Sequence, residues 1–238
     1  MGMEFVIAVG VLAGICGLLA ALLVLADRKL NDYGICRISI NDGERELDVP
    51  GGASLLSTLL TERIFIPSAC GGGGSCGLCK LKVLDGGGPV LATEEPHLSK
   101  EELASNVRLS CQLKIRNDMQ IQIPDEFFKV REFRGQIETL QQLTHDIKLV
   151  RIALLDPPDM DVEPGAYVQL RAPAYDGNPD PVYRAYSVAG DPLDRTHVDL
   201  IIRLVPNGIC TTWVFEHLKE GDEVLLNGPH GDFRLQPT

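Results

Sequence analysis

Four of the chain's seven cysteines stand at Cys70, Cys76, Cys79 and Cys111, a Cys-x5-Cys-x2-Cys-x31-Cys spacing. Two irons bridged by inorganic sulfide need four thiolates, two for each iron. A loop folded around such a cluster supplies three of them and a distant strand supplies the fourth. Gly71 to Gly74 lie between the first two cysteines, and Gly77 follows the second. Glycine permits positive φ and leaves no side chain in the way, so backbone N–H groups can face the sulfides. Those N–H groups also help set the reduction potential. Competing readings explain less. A structural zinc site pairs two Cys-x2-Cys knuckles, whereas here there is a single knuckle and Cys111 stands apart. Disulfides belong to oxidising compartments, and the topology argued below places this segment in the cytoplasm. A [2Fe–2S] cluster is therefore the expected metal group. Cys16, Cys36 and Cys210 fall outside the pattern: Cys16 reads as a small apolar residue of the N-terminal apolar run, and Cys36 and Cys210 as buried thiols.

The spacing resembles the Cys-x4-Cys-x2-Cys…Cys run of plant-type ferredoxins, with a first gap longer by one residue. Further along, Arg184-Ala185-Tyr186-Ser187 resembles the Arg-x-Tyr-Ser signature of the ferredoxin–NADP⁺ reductase superfamily. That resemblance implies FAD. A tyrosine at 186 would stack on the flavin plane, Ser187 would reach N5, and Arg184 would meet the pyrophosphate. Gly208-Ile209-Cys210-Thr211 resembles the superfamily's second signature, Gly-x-Cys-Ser/Thr, and Gly228-Pro229-His230-Gly231-Asp232-Phe233 its Gly-Pro-x-Gly-x-Phe turn. A helix after Gly208 would offer phosphate-binding N–H groups, which brings Gly208, Thr211 and Thr212 into the candidate FAD site. The plainer reading of that loop makes Thr212 an ordinary N-cap. Trp213 and Tyr183 read as packing residues, with either one an alternative candidate to border the flavin.

The elements needed to position these groups are legible as patterns. Alternation around Ile38 and Ile40, the turn Asn41-Asp42-Gly43, then Leu47 and Val49 predict a hairpin. Ser54 caps a predicted helix over 54–63, KLKVL a strand from Lys80, and 94–104 a short helical or irregular stretch. Leu109 to Ile123 reads as entry into a final strand. From Lys129 onward six short apolar stretches, separated by regularly spaced turns, predict an all-β barrel with one helix over 212–218. The expected fold class is α+β: an N-terminal transmembrane helix over 1–27, a β-grasp ferredoxin domain over 34–126, and a six-stranded antiparallel β-barrel flavin domain over 129–238.

The anchor rests on Phe5 to Ala26, 22 residues with no charge and no proline. About 20 apolar residues suffice for a helix to cross a bilayer. A signal peptide would have a basic start and a shorter apolar run, but Glu4 stands at this one's start. Arg28, Lys29 and Arg37 follow the run, so the positive-inside rule puts the N-terminus outside and the rest in the cytoplasm. The Gly10-x3-Gly14 spacing, with Gly17, suits packing against another transmembrane helix, or is the ordinary use of glycine in such helices. The net charge of −11 argues against nucleic acid, whose phosphates need Lys and Arg. Among the remaining polar residues, His145, His197, His217 and His230 show no metal spacing, and His230 reads as structural. His97 is a candidate neighbour of the cluster loop. Asp42, Glu94 and Glu95 read as solvated charge or an acidic docking face.

An anchor, a ferredoxin unit and a flavin barrel in this order resemble the F subunit of the Na⁺-translocating NADH:quinone oxidoreductase, along essentially the whole chain. The resemblance implies a bacterial inner-membrane, single-pass subunit that passes electrons from NADH through FAD and the [2Fe–2S] cluster to membrane partner subunits and, indirectly, to quinone. No general acid or base is implied, because the cofactors carry the chemistry. The pattern departs from the family after Phe233, where only Arg-Leu-Gln-Pro-Thr remains in place of a nicotinamide-binding domain. The sequence as it stands is thus expected not to hold NADH productively by itself. Gly190-Asp191-Pro192 also stands where the family tends to carry Asn-Tyr-Pro. Two alternatives stay open: an electron-carrier module without its own NADH oxidation, and the reductase component of an oxygenase.

Overall fold

A computed structural model describes residues 2–30 and 33–231, with side chains along the first helix described at Gly2, Phe5, Ile7 and 9–25. That helix, α1 (Gly2–Leu30), carries the apolar run. Leu12, Leu18, Leu23 and Leu25 along it are more than half exposed. Among the described residues no helix is long and apolar enough to cross a membrane. The side chains of Arg28 and Lys29 lie outside the described residues.

Residues 35–122 form a five-stranded mixed sheet. Strand β1 (Ile35–Ile40) buries Cys36, Ile38 and Ile40 and turns Arg37 outward, the period-two pattern of a half-buried strand. Asn41, Asp42 and Gly43 all take positive φ, which closes the predicted hairpin with β2 (Arg45–Pro50) at Ile40 opposite Arg45. Helix α2 (Leu55–Thr61) starts where expected: the Ser54 Oγ accepts the Ser57 N–H at 3.1 Å. Its Leu55, Leu56 and Leu59 pack into the core. Strand β3 (Lys80–Asp85), α3 (Lys100–Ala104), β4 (Val107–Leu109) and β5 (Met119–Gln122) complete the unit. The order is β2-β1-β5-β3-β4, with β5 parallel to β1.

The sequence pattern joins Leu109 to Ile123 as one approach to a strand. The structure instead places β4 before Cys111 and β5 well after it, with 110–113 turning between them. The polar stretch 116–118 interrupts the alternation there.

Residues 131–230 form a six-stranded antiparallel sheet, β10-β7-β6-β11-β8-β9. Its strands are β6 (Arg131–Thr144), β7 (Ile147–Asp156), β8 (Tyr167–Ala172), β9 (Val182–Ser187), β10 (His197–Arg203) and β11 (Glu223–His230). All six follow the predicted apolar stretches. The two edges meet through the Val188–Leu200 bridge and the Ala189 N–H donated to the Asp199 carbonyl at 2.9 Å, which curls the sheet toward a barrel. Helix α4 (Ile209–Glu216) covers β8 and β9. It begins three residues earlier than the pattern suggests. Its N-cap is Gly208, and Thr212 donates its N–H to the Gly208 carbonyl at 2.8 Å inside the first turn. Each sheet has its own core, one around Ile38, Ile40 and Ile121 and one around Val150, Val168 and Leu200.

Candidate functional site: a cluster loop against a flavin strand

The four predicted cysteines come together, as two pairs. The Cys70 and Cys76 Sγ atoms are 3.3 Å apart. Cys79 is hydrogen-bonded to Cys111. Two-by-two pairing is what a two-iron cluster asks of its thiolates. A mononuclear site asks for something else, and among the described residues no three His, Cys, Asp or Glu side chains converge to hold a single ion.

The backbone explains how the loop holds this shape. Gly71, Gly72, Gly74 and Gly77 sit at φ +62°, +93°, +73° and +67°, conformations costly for residues with a Cβ. The Ser68 Oγ accepts the Gly72 N–H at 3.1 Å. The fourth cysteine arrives through β3–β4 pairing. Lys80 lies opposite Leu109, and the Ser110 N–H and Oγ both donate to the Cys79 carbonyl at 2.9 Å. The carbonyls of Ser110 and Leu113 accept the first N–H groups of α2 from Leu56 and Leu55, at 3.0 and 2.8 Å. The helix start therefore pins the turn that carries Cys111, which is a turn residue and not the strand residue the pattern suggests.

Charge also favours metal binding. Burial opposes ionisation of Cys70, but N–H groups of Ser75 and Cys76, the Cys76 thiol and the Ser75 hydroxyl outweigh it and bring its pKa to about 6. Cys111 is likewise lowered to about 6, chiefly by the hydrogen bond from Cys79 and helped by the Gln112 amide and the Gly74 N–H. Cys79, the donor in its pair and buried, is pushed up. Each pair thus holds one group readily ionised at neutral pH, and the thiolate is the ligating form. The residues fit a [2Fe–2S] cluster. His97 lies where expected, packed so closely on the loop that a Cβ at Gly77 would be 3.1 Å from its Nδ1.

Glu94 departs from expectation. The sequence suggests a solvated acid, but it is fully buried, with a 2.6 Å contact to Arg108 Nη2. It also accepts the N–H groups of Leu91 and Leu109, at 3.0 and 2.9 Å. Burial raises its pKa, and Arg108 with the two N–H donors more than offsets this, so the net shift is downward. Arg108 in turn donates to the carbonyls of Gly87, Gly88 and Pro89, at 2.8 to 3.0 Å. One buried ion pair ties the 87–94 connection to β4, two residues before Cys111. No spacing rule could have announced it, because any exposed Glu and Arg leave the same trace in a sequence.

The flavin candidates gather on β9 and α4. Strand alternation puts Arg184 and Tyr186 on one face of β9 and Ser187 on the other. Tyr186 pairs across from Val168 and packs on the barrel core. Its hydroxyl is hydrogen-bonded to the buried thiol of Cys210 in the first turn of α4, and burial is the main cause that pushes its pKa up. Arg184 is close enough to favour ionisation of both groups. Its Nη1 donates to the Tyr183 carbonyl at 2.9 Å, and the guanidinium lies against Gly71 of the cluster loop. Ser187 is exposed. Thr211 is buried, and its Oγ1 accepts the Val205 N–H at 3.2 Å and lies 3.2 Å from the Gly208 carbonyl. It therefore clips the loop to the helix start. Trp213 packs in the core as expected, and the Tyr183 hydroxyl donates to Glu132 at 3.1 Å. At the third motif His230 is buried, stacks on Tyr167 with ring centroids 5.2 Å apart, and holds the Asn227 Oδ1 at 2.6 Å. Asp232 and Phe233 lie outside the described residues.

Comparison with known proteins matches a cofactor domain to each of the two units. Residues 38–116 match the 2Fe-2S iron-sulfur cluster binding domain and residues 134–235 the oxidoreductase FAD-binding domain. The cofactors are accordingly a [2Fe–2S] cluster and FAD. Among solved structures, the Amycolatopsis cytochrome P450 reductase GcoB aligns over 85% of this chain and 59% of its own, at 30% identity and a TM-score of 0.57. A ferredoxin reductase in carbazole 1,9a-dioxygenase aligns over 83% of this chain and 58% of its own, at 27% identity and a TM-score of 0.54. Among curated relatives, the F subunit of the Na(+)-translocating NADH-quinone reductase of Pseudomonas paraeruginosa is 36% identical over 100% of this chain and 66% of that protein. Its counterpart in Mannheimia succiniciproducens is 32% identical over 100% of this chain and 67% of that protein. The chain spans about two thirds of the length of these relatives. With both cofactor domains present in the same order, the chain belongs to the family of the F subunit of the Na⁺-translocating NADH-quinone reductase.

Proposed function

We propose that this chain is the electron-input subunit of a membrane NADH:quinone oxidoreductase linked to sodium transport. It passes electrons from FAD to the [2Fe–2S] cluster and on to membrane partner subunits, with quinone the indirect acceptor. The observation that carries the reading is the two-by-two pairing of thiols in a glycine loop, on the same chain as a flavin strand. Cys70 with Cys76, and Cys79 with Cys111, would hold the two irons. Tyr186 and Ser187 would border the flavin ring, and Arg184 would supply positive charge. Gly208, Thr211 and Thr212 shape the start of α4, whose first N–H groups suit the pyrophosphate. FAD when bound supplies the two-electron to one-electron exchange, and the protein orients it and excludes water.

The helix α1 is read as the anchor, with residues 34–126 and 129–238 as cytoplasmic domains. Its support is the charge-free run over 5–26 and the exposure of its described leucines. The test is anaerobic purification from membranes, then metal, flavin and EPR analysis. Two irons and one FAD per chain, with a rhombic S = ½ signal on reduction, are expected. An EPR-silent reduced protein would overturn the cluster assignment. A second reading, the reductase component of an oxygenase, draws on the likeness to the P450 reductase. Recovery of the chain in the soluble fraction, with its α1 intact, would favour that reading.

A further inference from the structure

Two residues of the segment 63–71 point to a contact between the two units. Phe65 is only 3% exposed, yet it belongs to neither hydrophobic core, although Ile64 and Ile66 on each side pack in the core of the first unit. Gly71, next to Cys70, has no space for a side chain. A Cβ there would overlap the guanidinium of Arg184 and press on the carbonyl of Tyr183, both on β9. The same short segment reaches the second unit twice more. Gln169 of β8, itself buried, donates its Nε2–H to the Ile66 carbonyl at 3.4 Å. The charge of Arg63 is near enough to act on the Tyr183 phenol. Arg63 stands at φ +58°, the sharp exit that sends the chain from α2 toward β8 and β9.

Two units on one chain ordinarily move relative to each other unless their contact is well packed. Here the contact has a hydrogen-bonded buried amide and a backbone approach that only glycine permits, and the segment that makes it carries an aromatic buried outside both cores. We propose that residues 63–71 form a fixed dock which holds the cluster loop on the flavin strand, with Phe65 as its anchor and Gly71 as its point of closest approach. Electrons then cross between FAD and the cluster within one rigid body, with no swing of one unit against the other. This rests on the placement of FAD at β9 and α4 given above. In each crossing one electron leaves the reduced flavin and enters the oxidised cluster, and the flavin's protons pass to solvent. The reductant is a hydride donor in the complete system and a photoreduced deazaflavin in the test.

The test uses the full chain in detergent. After a flash that reduces the flavin, the flavin-to-cluster rate is followed by absorbance at increasing glycerol concentration. The dock requires a rate independent of viscosity. Phe65→Ser should slow the transfer at least tenfold at unchanged iron and FAD content, and Phe65→Leu should restore it. Gly71→Val, inside the cluster loop, should slow it at least tenfold per cluster retained. Hydrogen–deuterium exchange on the same chain, without added flavin, gives a readout independent of the cofactors. Phe65→Ser should raise exchange at 63–71 and at 182–186 together. A native rate that falls with viscosity, unaltered transfer in both variants, or exchange that rises at 63–71 alone would overturn the dock. If Gly71→Val loses its cluster, the Phe65 variants decide. If the native chain holds no FAD, the flavin placement fails while the exchange experiment still judges the dock.

Discussion

In the cluster loop three ligands fall within ten residues, 70–79, and the backbone carries the site, whereas the flavin groups are spread over 184–212 and meet only because strands and a helix bring them together. The loop uses glycines at positive φ so that N–H groups face the thiols. The flavin side uses a strand register, Tyr186 opposite Val168, and a helix start at Gly208. The first kind of site is dense and unforgiving. The second is graded, since each residue adds a contact to a surface the barrel already provides. The lesson is that the cluster site stands or falls with single residues, and the flavin site weakens by degrees.

The sharpest way to break the comparison is to remove one thiol. Cys111→Ala should abolish the reduced-state EPR signal altogether while FAD content stays within a factor of two; a variant that keeps the signal would return the fourth ligand to an open question. Next in size is the ion pair behind the loop. Removing one partner of a buried pair leaves an uncompensated charge, worth about 3–5 kcal/mol. Glu94→Gln should lower unfolding stability by about that amount in denaturant titration, with loss of cluster on mild warming, and an effect below about 1 kcal/mol would refute the role.

The flavin side should respond more mildly. Tyr186→Ala removes stacking and burial and should weaken FAD binding about tenfold, or about 1.4 kcal/mol, read by fluorescence titration. Thr211→Ala should cost less, because Thr211 holds the loop and not the ligand. If the two variants lose FAD equally, the graded picture is wrong.

Acid should separate two contributions with the same sign. His230 is buried, and its pKa falls from 6.5 to about 4. The unfolded chain binds a proton there that the folded chain refuses. Stability from this group is therefore full above pH 6.5 and declines as pH falls toward 4. Glu94, also lowered, holds its contribution above the ordinary carboxylate range and loses it at more acidic pH. In His230→Gln the slope of stability against pH between 6.5 and 4 should flatten, measured by thermal unfolding across that range. The smallest expected effect is at the cap of α2. Ser54→Ala should cost about 1 kcal/mol, and since α2 pins the turn carrying Cys111, the same variant should broaden the cluster's EPR line without removing it.

Much of this molecule is written locally. The four ligands, the glycines between them, the hairpin at Asn41-Asp42-Gly43 and all six strands of the barrel follow from spacing, turn chemistry and period-two alternation. These are short-range properties, set by backbone sterics and by which face of a strand meets the core, so neighbours in sequence suffice to reveal them. Elements with weak local signal escape such a reading: β4 has only three residues, and α4 starts three residues before the expected Thr212, behind a glycine cap at Gly208.

What only the tertiary structure decided are pairings between distant residues. Glu94 meets Arg108 inside the fold, Phe65 is buried outside both cores, and the Arg184 guanidinium lies on Gly71. Each depends on how two surfaces far apart in the chain come to share one place, and a charge, an aromatic or a glycine reads the same in sequence whether it is solvated or buried. The cysteines could be named as ligands because the chemistry of two irons demands a particular count and spacing. The neighbour of the cluster loop could not be named, because no local rule makes an arginine 113 residues beyond Gly71 its contact.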